Sequence, residues 1–319
     1  MTNRFASIWA AEFRAFLAFK HSLGYSYSRS ELRLRALDRF LIDQTHVRDH
    51  QRLTEAILSW IERRPGRKPI SVSIELTYIR QFYAFLRRRG CRGLREPSWP
   101  KMPVSSDYVP YVFTTEEIRK LLHLTSKLGE PFRQITYRTL ILVLYCTGLR
   151  FGEALRLRLR DVDVEKATLF IVESKGRSRW VPYHRSLCLE LKRYLVARNA
   201  YTPAGPDDRL FVNAHRTRLQ TVTASKTVRQ LLRTAGLKPK AGRVGPRPYD
   251  LRHAFAVHRL TRWYLSGVDL HSRLPWLSAY MGHDDLLGTE TYLTATPKLL
   301  ALAGVRFRHR YMTAGRRNK

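Results

Sequence analysis

The sequence predicts a mainly α-helical protein of the α+β class, with a helical N-terminal domain and a mostly helical C-terminal domain that carries a small antiparallel β-sheet. Apolar residues recur at the 3.6-residue spacing of helices through the first ninety residues. Prolines crowd the stretch that follows, and one later stretch has the composition of two paired strands. A chain of 319 residues also exceeds the usual size of one domain. We therefore expect domains at 1–90 and 114–319, joined by a linker at 91–113.

Four amphipathic helices are predicted in residues 1–90. The apolar positions that mark them are Phe5, Ile8, Trp9, Phe13, Phe16 and Leu17, then Leu34, Leu37 and Leu41, then Ile57, Leu58 and Ile61, and finally Val72, Leu76, Ile79, Tyr83 and Leu86. Because Arg87–Arg89 precede Gly90, the fourth helix should end there, with cations at the negative end of its dipole and glycine as its cap.

The stretch at 91–113 and the elements that follow it are predicted from local signals. Prolines fix the backbone of the linker in a stiff, extended form; they are Pro97, Pro100, Pro103 and Pro110. Thr114 and Glu117 have the spacing of a helix capping box, and a buried helix around Leu140–Leu144 should end at Gly148. Strands at 168–173 and 179–183 should flank a turn at 174–178. Further helices are predicted from Pro182 to about Arg198 and at 222–235, 250–265 and 274–281.

The charge of the chain indicates its kind of partner. The formal net charge is +32, from 58 Lys and Arg against 26 Asp and Glu. Such a charge attracts polyanions, and nucleic acid is the most common polyanionic partner. Three cysteines (Cys91, Cys146 and Cys188) form no C-x-x-C pair, no apolar secretory signal is visible, and the longest apolar run, Leu140–Cys146, is too short to cross a membrane. We expect a cytoplasmic, nucleoid-associated protein with reduced cysteines and no membrane partner.

Four short segments of the second domain carry side chains suited to attack on a phosphodiester. They are Thr147–Glu153, Ser174–Gly176, Tyr249–His253, and Met281–His283 with Tyr292. Arginines can bind phosphate oxygens bidentately and hold the charge that develops on them. A tyrosine can form a covalent phosphotyrosine, a lysine among cations can protonate the leaving oxygen, and a histidine can hold an oxygen or take a proton. Any one of these residues alone is better explained as a solvated or packing side chain, so only their joint order is informative.

That joint order resembles the tyrosine site-specific recombinase (phage-integrase-like) family. The first box of the family, Thr-Gly-Leu-Arg with an acid three residues on, corresponds to Thr147–Arg150 and Glu153. The family lysine in a hairpin turn corresponds to Lys175, the second box to Asp250–His253, the third to Gly282–His283, and the nucleophile nine residues later to Tyr292. The resemblance implies catalytic roles for Arg150, Lys175, Tyr249, Arg252, His283 and Tyr292, and supporting roles for Glu153, Asp250 and His253.

What the resemblance implies is a site-specific DNA recombinase whose core-binding domain (1–90) and catalytic domain (114–319) clamp duplex DNA. Tyr292 would form a 3′-phosphotyrosyl intermediate and Lys175 would protonate the leaving 5′ oxygen, without metal or nucleotide cofactor. A homotetramer would act on two DNA sites, for integration, excision or transposition of a DNA element. Accessory DNA-bending or directionality factors are expected partners, and a C-terminal helix at 297–305 would dock on a neighbouring protomer.

One position departs from the family pattern and keeps alternatives open. The family usually has His where Tyr249 stands. A phenol can donate a hydrogen bond but does not transfer protons near neutral pH, so a catalytically inactive, sequence-specific DNA-binding protein remains an alternative. Two others are a type IB topoisomerase, which shares the chemistry, and a metal-dependent nuclease. The acids available to the latter, in no metal-binding pattern, are Asp161, Asp163, Asp284 and Asp285.

Overall fold

A computed structural model describes residues 5–44, 46–62, 69–91, 98, 110–174, 177–242, 244–283 and 292, without the side chains of 29, 173 and 174. Internal contacts divide the chain into two units, Met1–Asp107 and Tyr108–Lys319. Each unit has a hydrophobic core of its own. The finer limits predicted for the two domains stay a prediction, and most of the predicted linker lies outside the described residues.

The first unit contains the four predicted helices. They are α1 (Ala10–Ser22), α2 (Ser28–Ile42), α3 (His50–Glu62) and α4 (Pro69–Arg88). Phe13 and Phe16 of α1 pack on Phe82 of α4, with ring centroids 4.8 and 5.5 Å apart. Gly90 follows α4 with a φ of 82°, as the capping signal predicted. Three of the six markers of α1 precede the helix, which begins at Ala10: Phe5 and Trp9 are nevertheless buried, whereas Ile8 is 55% exposed and was wrong as a core position.

The second unit begins with a capped helix and a long buried one. Thr114 caps α5 (Thr115–Leu124): its hydroxyl accepts from the Glu117 amide at 3.1 Å, and the Glu117 carboxylate accepts from the Thr114 amide at 2.9 Å. The capping box is thereby confirmed. Next comes α6 (Pro131–Thr147), which ends at Gly148 as predicted. Because α6 contacts both α8 (Ser186–Tyr201) and α10 (Asp250–Leu265), it forms the centre of the core of this unit.

A three-stranded antiparallel sheet lies in the same unit, in the order β1 (Val162–Asp163), β2 (Thr168–Ser174) and β3 (Arg177–Pro182). Leu169 pairs with Val181, and both side chains are fully buried in the core. The predicted hairpin of β2 and β3 is confirmed, whereas β1 was missed because two residues give no periodic signal.

The remaining helices are α7 (Phe151–Arg156), α9 (Thr221–Thr234) and α11 (Leu270–Met281). The sequence did not predict α7, and it placed the start of α11 four residues too late. In the structure, the Asp269 carboxylate caps α11 by accepting from the amides of His271 and Ser272. Among the helices of the described residues, none combines the length and apolar character needed to cross a membrane.

Candidate active site

A tight turn after α6 brings the first predicted box into the site. Gly148 ends the helix with a φ of 62°, in the left-handed region that favours glycine. A Cβ atom at this position would lie 2.3 Å from Cδ1 of Phe255 on α10. The close approach lets the chain reverse directly into α7, whose first turn follows Arg150.

Arg150 is held by the acid three residues after it. The Glu153 carboxylate accepts from the Arg150 amide at 2.9 Å and from Arg150 Nη1 at 2.9 Å. Arg150 Nη2 also donates to the carbonyl of Gly282 at 2.5 Å. The Glu153 side chain is 1% exposed and the Arg150 side chain 19%, so the carboxylate is the buried support and the guanidinium the more accessible group.

Arg252 is the most deeply buried cation of the site. It is 1% exposed, and its guanidinium donates to the carbonyls of Gly148 at 2.7 Å and Met281 at 2.8 Å. It also lies 2.8 Å from Nε2 of His283. Since a guanidinium can only donate, His283 accepts with Nε2 and carries its proton on Nδ1. Burial, and secondarily the charge of Arg150, lowers the pKa of Arg252, but the group stays charged at neutral pH.

Tyr292 lies in this cluster with its side chain 2% exposed. Its ring stands edge-on to His253, with centroids 5.3 Å apart, and is stacked at 6.1 Å on His283. Burial raises the pKa of Tyr292, because phenolate is disfavoured away from water, while the charge and hydrogen bond of Arg252 oppose the rise. Arg252, and to a smaller extent Arg150, therefore favour the ionised form of Tyr292.

The start of α10 contributes Tyr249, Asp250 and His253. Tyr249 is 40% exposed and its ring contacts His253 edge-on, with centroids 4.9 Å apart. Asp250 is fully buried and accepts from the Arg247 amide at 2.7 Å, so it anchors the turn before α10. Burial lowers the pKa of His253 to about 4, which leaves the imidazole neutral at pH 7.

The structure therefore brings together most of the predicted site residues: Arg150, Glu153, Arg252, His253, His283 and Tyr292, with Tyr249 beside them. Asp250 is buried at the start of α10, where it accepts from the Arg247 amide and fixes the turn that precedes Tyr249 and Arg252. Lys175 lies outside the described residues, as do 297–305, Asp284 and Asp285. Within the part of the chain that is described, no group of three or more His, Cys, Asp or Glu side chains could hold a metal ion.

Sequence reasoning missed Arg179 on β3. Its guanidinium donates to both oxygens of Glu153, at 3.2 and 2.9 Å, and its Nε donates to the carbonyl of Tyr280 at 2.9 Å. One signal could have marked it among 58 basic residues. Side chains alternate along a strand, so Arg179 shares the inward face with the buried Val181 two residues later.

Two arginines and a histidine around a buried tyrosine form a site suited to phosphodiester transesterification through a covalent tyrosine. Residues 111–298 match the model of the phage integrase family, which is more than half of the chain. A putative integrase/recombinase, y4rB of Sinorhizobium fredii, is 33% identical over 93% of this chain and 96% of its own. The tyrosine recombinase XerA of Pyrococcus furiosus is 31% identical over 75% of this chain and 74% of its own. The chain belongs to the phage integrase family.

Solved structures agree on the fold. A XerH site-specific recombinase in a post-cleavage complex with its palindromic difH substrate superposes with a TM-score of 0.64 at 19% identity, over 87% of this chain and 78% of that one. The Tn1549 transposon integrase with circular intermediate DNA gives 0.62 at 16% identity, over 93% and 99%. The predicted tyrosine recombinase family and the breaking and rejoining of DNA strands are confirmed. The alternative of a catalytically inactive DNA-binding protein finds no support in these comparisons.

Proposed function

We propose that this chain recombines duplex DNA at specific sites, with Tyr292 as the nucleophile that forms a 3′-phosphotyrosyl intermediate. The observation that carries the proposal is the position of Tyr292: its ring lies 5.3 Å from that of His253 and 6.1 Å from that of His283, and His283 in turn contacts the Arg252 guanidinium, whose charge acts to lower the pKa of the phenol. A cation at the phenol both favours its ionisation and attracts the phosphate that it must attack.

Arg150 and Arg252 are assigned to the non-bridging oxygens of the scissile phosphate. Negative charge develops on those oxygens during attack, and fixed guanidinium groups stabilise it without reorganisation. Both arginines are already held in place, Arg252 by two main-chain carbonyls and Arg150 by Glu153 and Gly282. With its proton on Nδ1, His283 can add a further donor to phosphate.

The chemical step exchanges one phosphodiester for another. The Tyr292 phenol, exposed when DNA binds, loses its proton to water; its oxygen attacks phosphorus, the bond to the 5′ oxygen breaks, and Lys175 is assigned to give a proton to that oxygen. Rejoining reverses the exchange: the 5′ hydroxyl of a partner strand attacks the phosphotyrosine and Tyr292 leaves. Because Tyr292 is 2% exposed in the chain without DNA, its hydroxyl must become accessible when DNA binds.

Tyr249 is assigned to a donor role at the phosphate. Its side chain is 40% exposed at the start of α10, three residues before Arg252. A phenol there can donate one hydrogen bond to a phosphate oxygen, so transition-state stabilisation survives the replacement of histidine. Proton transfer from this position does not survive it, because a phenol does not exchange protons readily near neutral pH.

Duplex DNA is the proposed substrate, and a homotetramer on two sites the proposed active assembly. The net charge of +32 suits a polyanionic substrate, and the similar XerH and Tn1549 integrase structures carry DNA. Integration, excision or transposition of a DNA element is the proposed biological role, with accessory factors to set its direction. The proposal places the protein in the cytoplasm, at the nucleoid, where its substrate lies.

A covalent trapping experiment tests the proposal. Labelled duplexes from the flanks of the gene are incubated with the protein in EDTA and separated on a denaturing gel. We expect an EDTA-resistant adduct that disappears in Tyr292→Phe and persists in Tyr264→Phe, a matched change at a tyrosine near the end of α10. An adduct that survives Tyr292→Phe, or no adduct on DNA that the protein binds specifically, would overturn the assignment.

A further inference from the structure

Arg179 and Arg150 share one buried carboxylate. Glu153 accepts four hydrogen bonds within 3.2 Å: the amide and Nη1 of Arg150, and Nη1 and Nη2 of Arg179. The bond from Arg179 is bidentate, the geometry that a planar guanidinium forms best with a carboxylate. Because the Glu153 side chain is 1% exposed, water does not replace either partner.

The same guanidinium also holds the end of α11. Nε of Arg179 donates to the carbonyl of Tyr280 in the last turn of that helix, at 2.9 Å. Gly282 follows with a φ of 68°, and a Cβ atom there would lie 2.7 Å from Nη1 of Arg179. The Gly282 carbonyl and the Glu153 carboxylate are the two groups that hold Arg150. Arg179 bonds to the carboxylate and packs against Gly282, so it supports both.

The geometry points to Arg179 as a positioning residue for DNA cleavage, which holds Arg150 through Glu153 and ties Arg150 to β3. It lies on β3, four residues after Lys175. All three of its nitrogen atoms donate to protein groups, and its side chain is 13% exposed. It therefore acts through its neighbours and does not itself contact the phosphate.

Charge gives a second reason why Arg150 depends on Arg179. A carboxylate that paired with Arg150 alone would cancel the positive charge that the phosphate needs. With a second guanidinium on the same carboxylate, the three groups keep a net charge of +1, and Arg150 remains an effective cation. Loss of Arg179 would leave a neutral pair in the site, as well as a less constrained Glu153.

The test separates DNA binding from cleavage. Single-turnover adduct formation is measured at saturating DNA, together with Kd and thermal melting, for the wild-type chain, Arg179→Ala, Arg179→Lys and Arg119→Ala. Arg119 is the matched control, since it also pairs with a glutamate (Glu116), but both side chains are more than 70% exposed. Each alanine variant removes one positive charge from the same unit.

We expect Arg179→Ala to slow cleavage by roughly 10- to 100-fold, the range known for residues that orient a metal ligand through a hydrogen bond and taken here as the analogue, with Kd within about threefold of Arg119→Ala. Arg179→Lys keeps the charge but not the bidentate bond, so its rate should lie between wild type and Arg179→Ala. If Arg179→Ala does not fold, Arg179→Lys carries the comparison, and it should still cleave more slowly than Arg119→Ala.

A Glu153→Gln background adds a readout that a general loss of packing would not move. If Arg179 acts through the carboxylate, its replacement by alanine should slow the Glu153→Gln enzyme far less than the wild type. Equal slowing in both backgrounds, a cleavage rate equal to that of Arg119→Ala, or a loss confined to Kd would each overturn the inference. It rests on the proposed function, whose failure is distinct: the wild-type chain would then form no Tyr292 adduct at all.

Discussion

Gly148→Ala is the change whose effect can be worked out most fully from the structure. It adds one methyl group at the turn between α6 and α7. The backbone there has a φ of 62°, and the new Cβ atom would lie 2.3 Å from Cδ1 and 2.9 Å from Cε1 of Phe255. Cβ atoms in proteins do not make contacts this short, so either the turn or the ring must move.

Two costs add up at this position. The left-handed conformation disfavours an L side chain by about 1–2 kcal/mol, and forcing extra atoms into a packed core costs about 1–3 kcal/mol. The free energy of unfolding should therefore fall by about 2–5 kcal/mol. For a domain of about 200 residues, each kcal/mol lowers Tm by about 2–4 °C, so a loss near the middle of that range lowers the Tm of the second unit by about 7–14 °C.

Gly152→Ala is the matched control, four residues along the same segment. Its backbone needs no positive φ, and the new Cβ atom would meet only Nη1 of Arg156, at 3.2 Å, the mobile end of a long side chain. Alanine is favoured over glycine inside a helix by about 0.5–1 kcal/mol. Calorimetry should find the Tm of Gly152→Ala unchanged or slightly raised.

Gly148→Ala should also reduce activity in the folded protein, because the Gly148 carbonyl accepts from Arg252. Displacement of the turn moves that acceptor, and adduct formation by Gly148→Ala should fall at temperatures well below its Tm. Adding Phe255→Ala removes the clash, so the two changes should cost less together than the sum of their separate effects, by about 1–3 kcal/mol. Equal Tm values for Gly148→Ala and Gly152→Ala would refute the packing argument.

Three further outcomes follow from particular groups. The folded pKa of His253, about 4, lies below the unfolded value of about 6.5. Its contribution to stability is therefore complete above pH 6.5 and is lost as pH falls toward 4, and His253→Phe should flatten that part of the stability profile by at most about 3.5 kcal/mol. Tyr249→Phe should slow cleavage about tenfold by removing one donor, while Tyr249→His should be faster than Tyr249→Phe in the same assay. Thr114→Ala breaks the capping box with Glu117 and should lower the Tm of the second unit by about 2–4 °C, whereas Thr115→Ala should not, because the Thr115 hydroxyl bonds only to the exposed Glu116.

The helices were predictable where apolar residues repeat over several turns. All four helices of the first unit were predicted from such a repeat, whereas those of the second unit were predicted from local signals such as the capping box at Thr114 and Glu117 and the helix-ending Gly148. The failures have physical causes. A six-residue helix such as Phe151–Arg156 completes fewer than two turns, and Val162–Asp163 pairs only because β2 lies beside it. Such elements are specified by their neighbours and not by their own residues.

The site was predictable for a different reason. Arg150, Arg252, His283 and Tyr292 lie in short segments whose order and spacing could be compared with a known family. Arg179 has no such segment, and its partner Glu153 lies 26 residues earlier in the chain. That pairing exists only once β3 has packed beside α7, so its recognition required coordinates. The roles assigned to the individual residues, Lys175 above all, stay predictions that the variants must test.

The two active-site arginines are oriented by two glycines that end helices. Gly148 ends α6 and gives its carbonyl to Arg252; Gly282 ends α11 and gives its carbonyl to Arg150. Both glycines have positive φ, and a Cβ atom on either would lie within 2.7 Å of a side chain packed against it, Phe255 or Arg179. A substitution cannot remove a main-chain carbonyl. It can change the direction of the carbonyl, however, when the new residue does not adopt the positive φ that Gly148 and Gly282 have. If Arg150 and Arg252 bind the scissile phosphate as proposed, the glycines of the first and third boxes contribute to that binding, because they orient the carbonyls that hold both guanidinium groups in place.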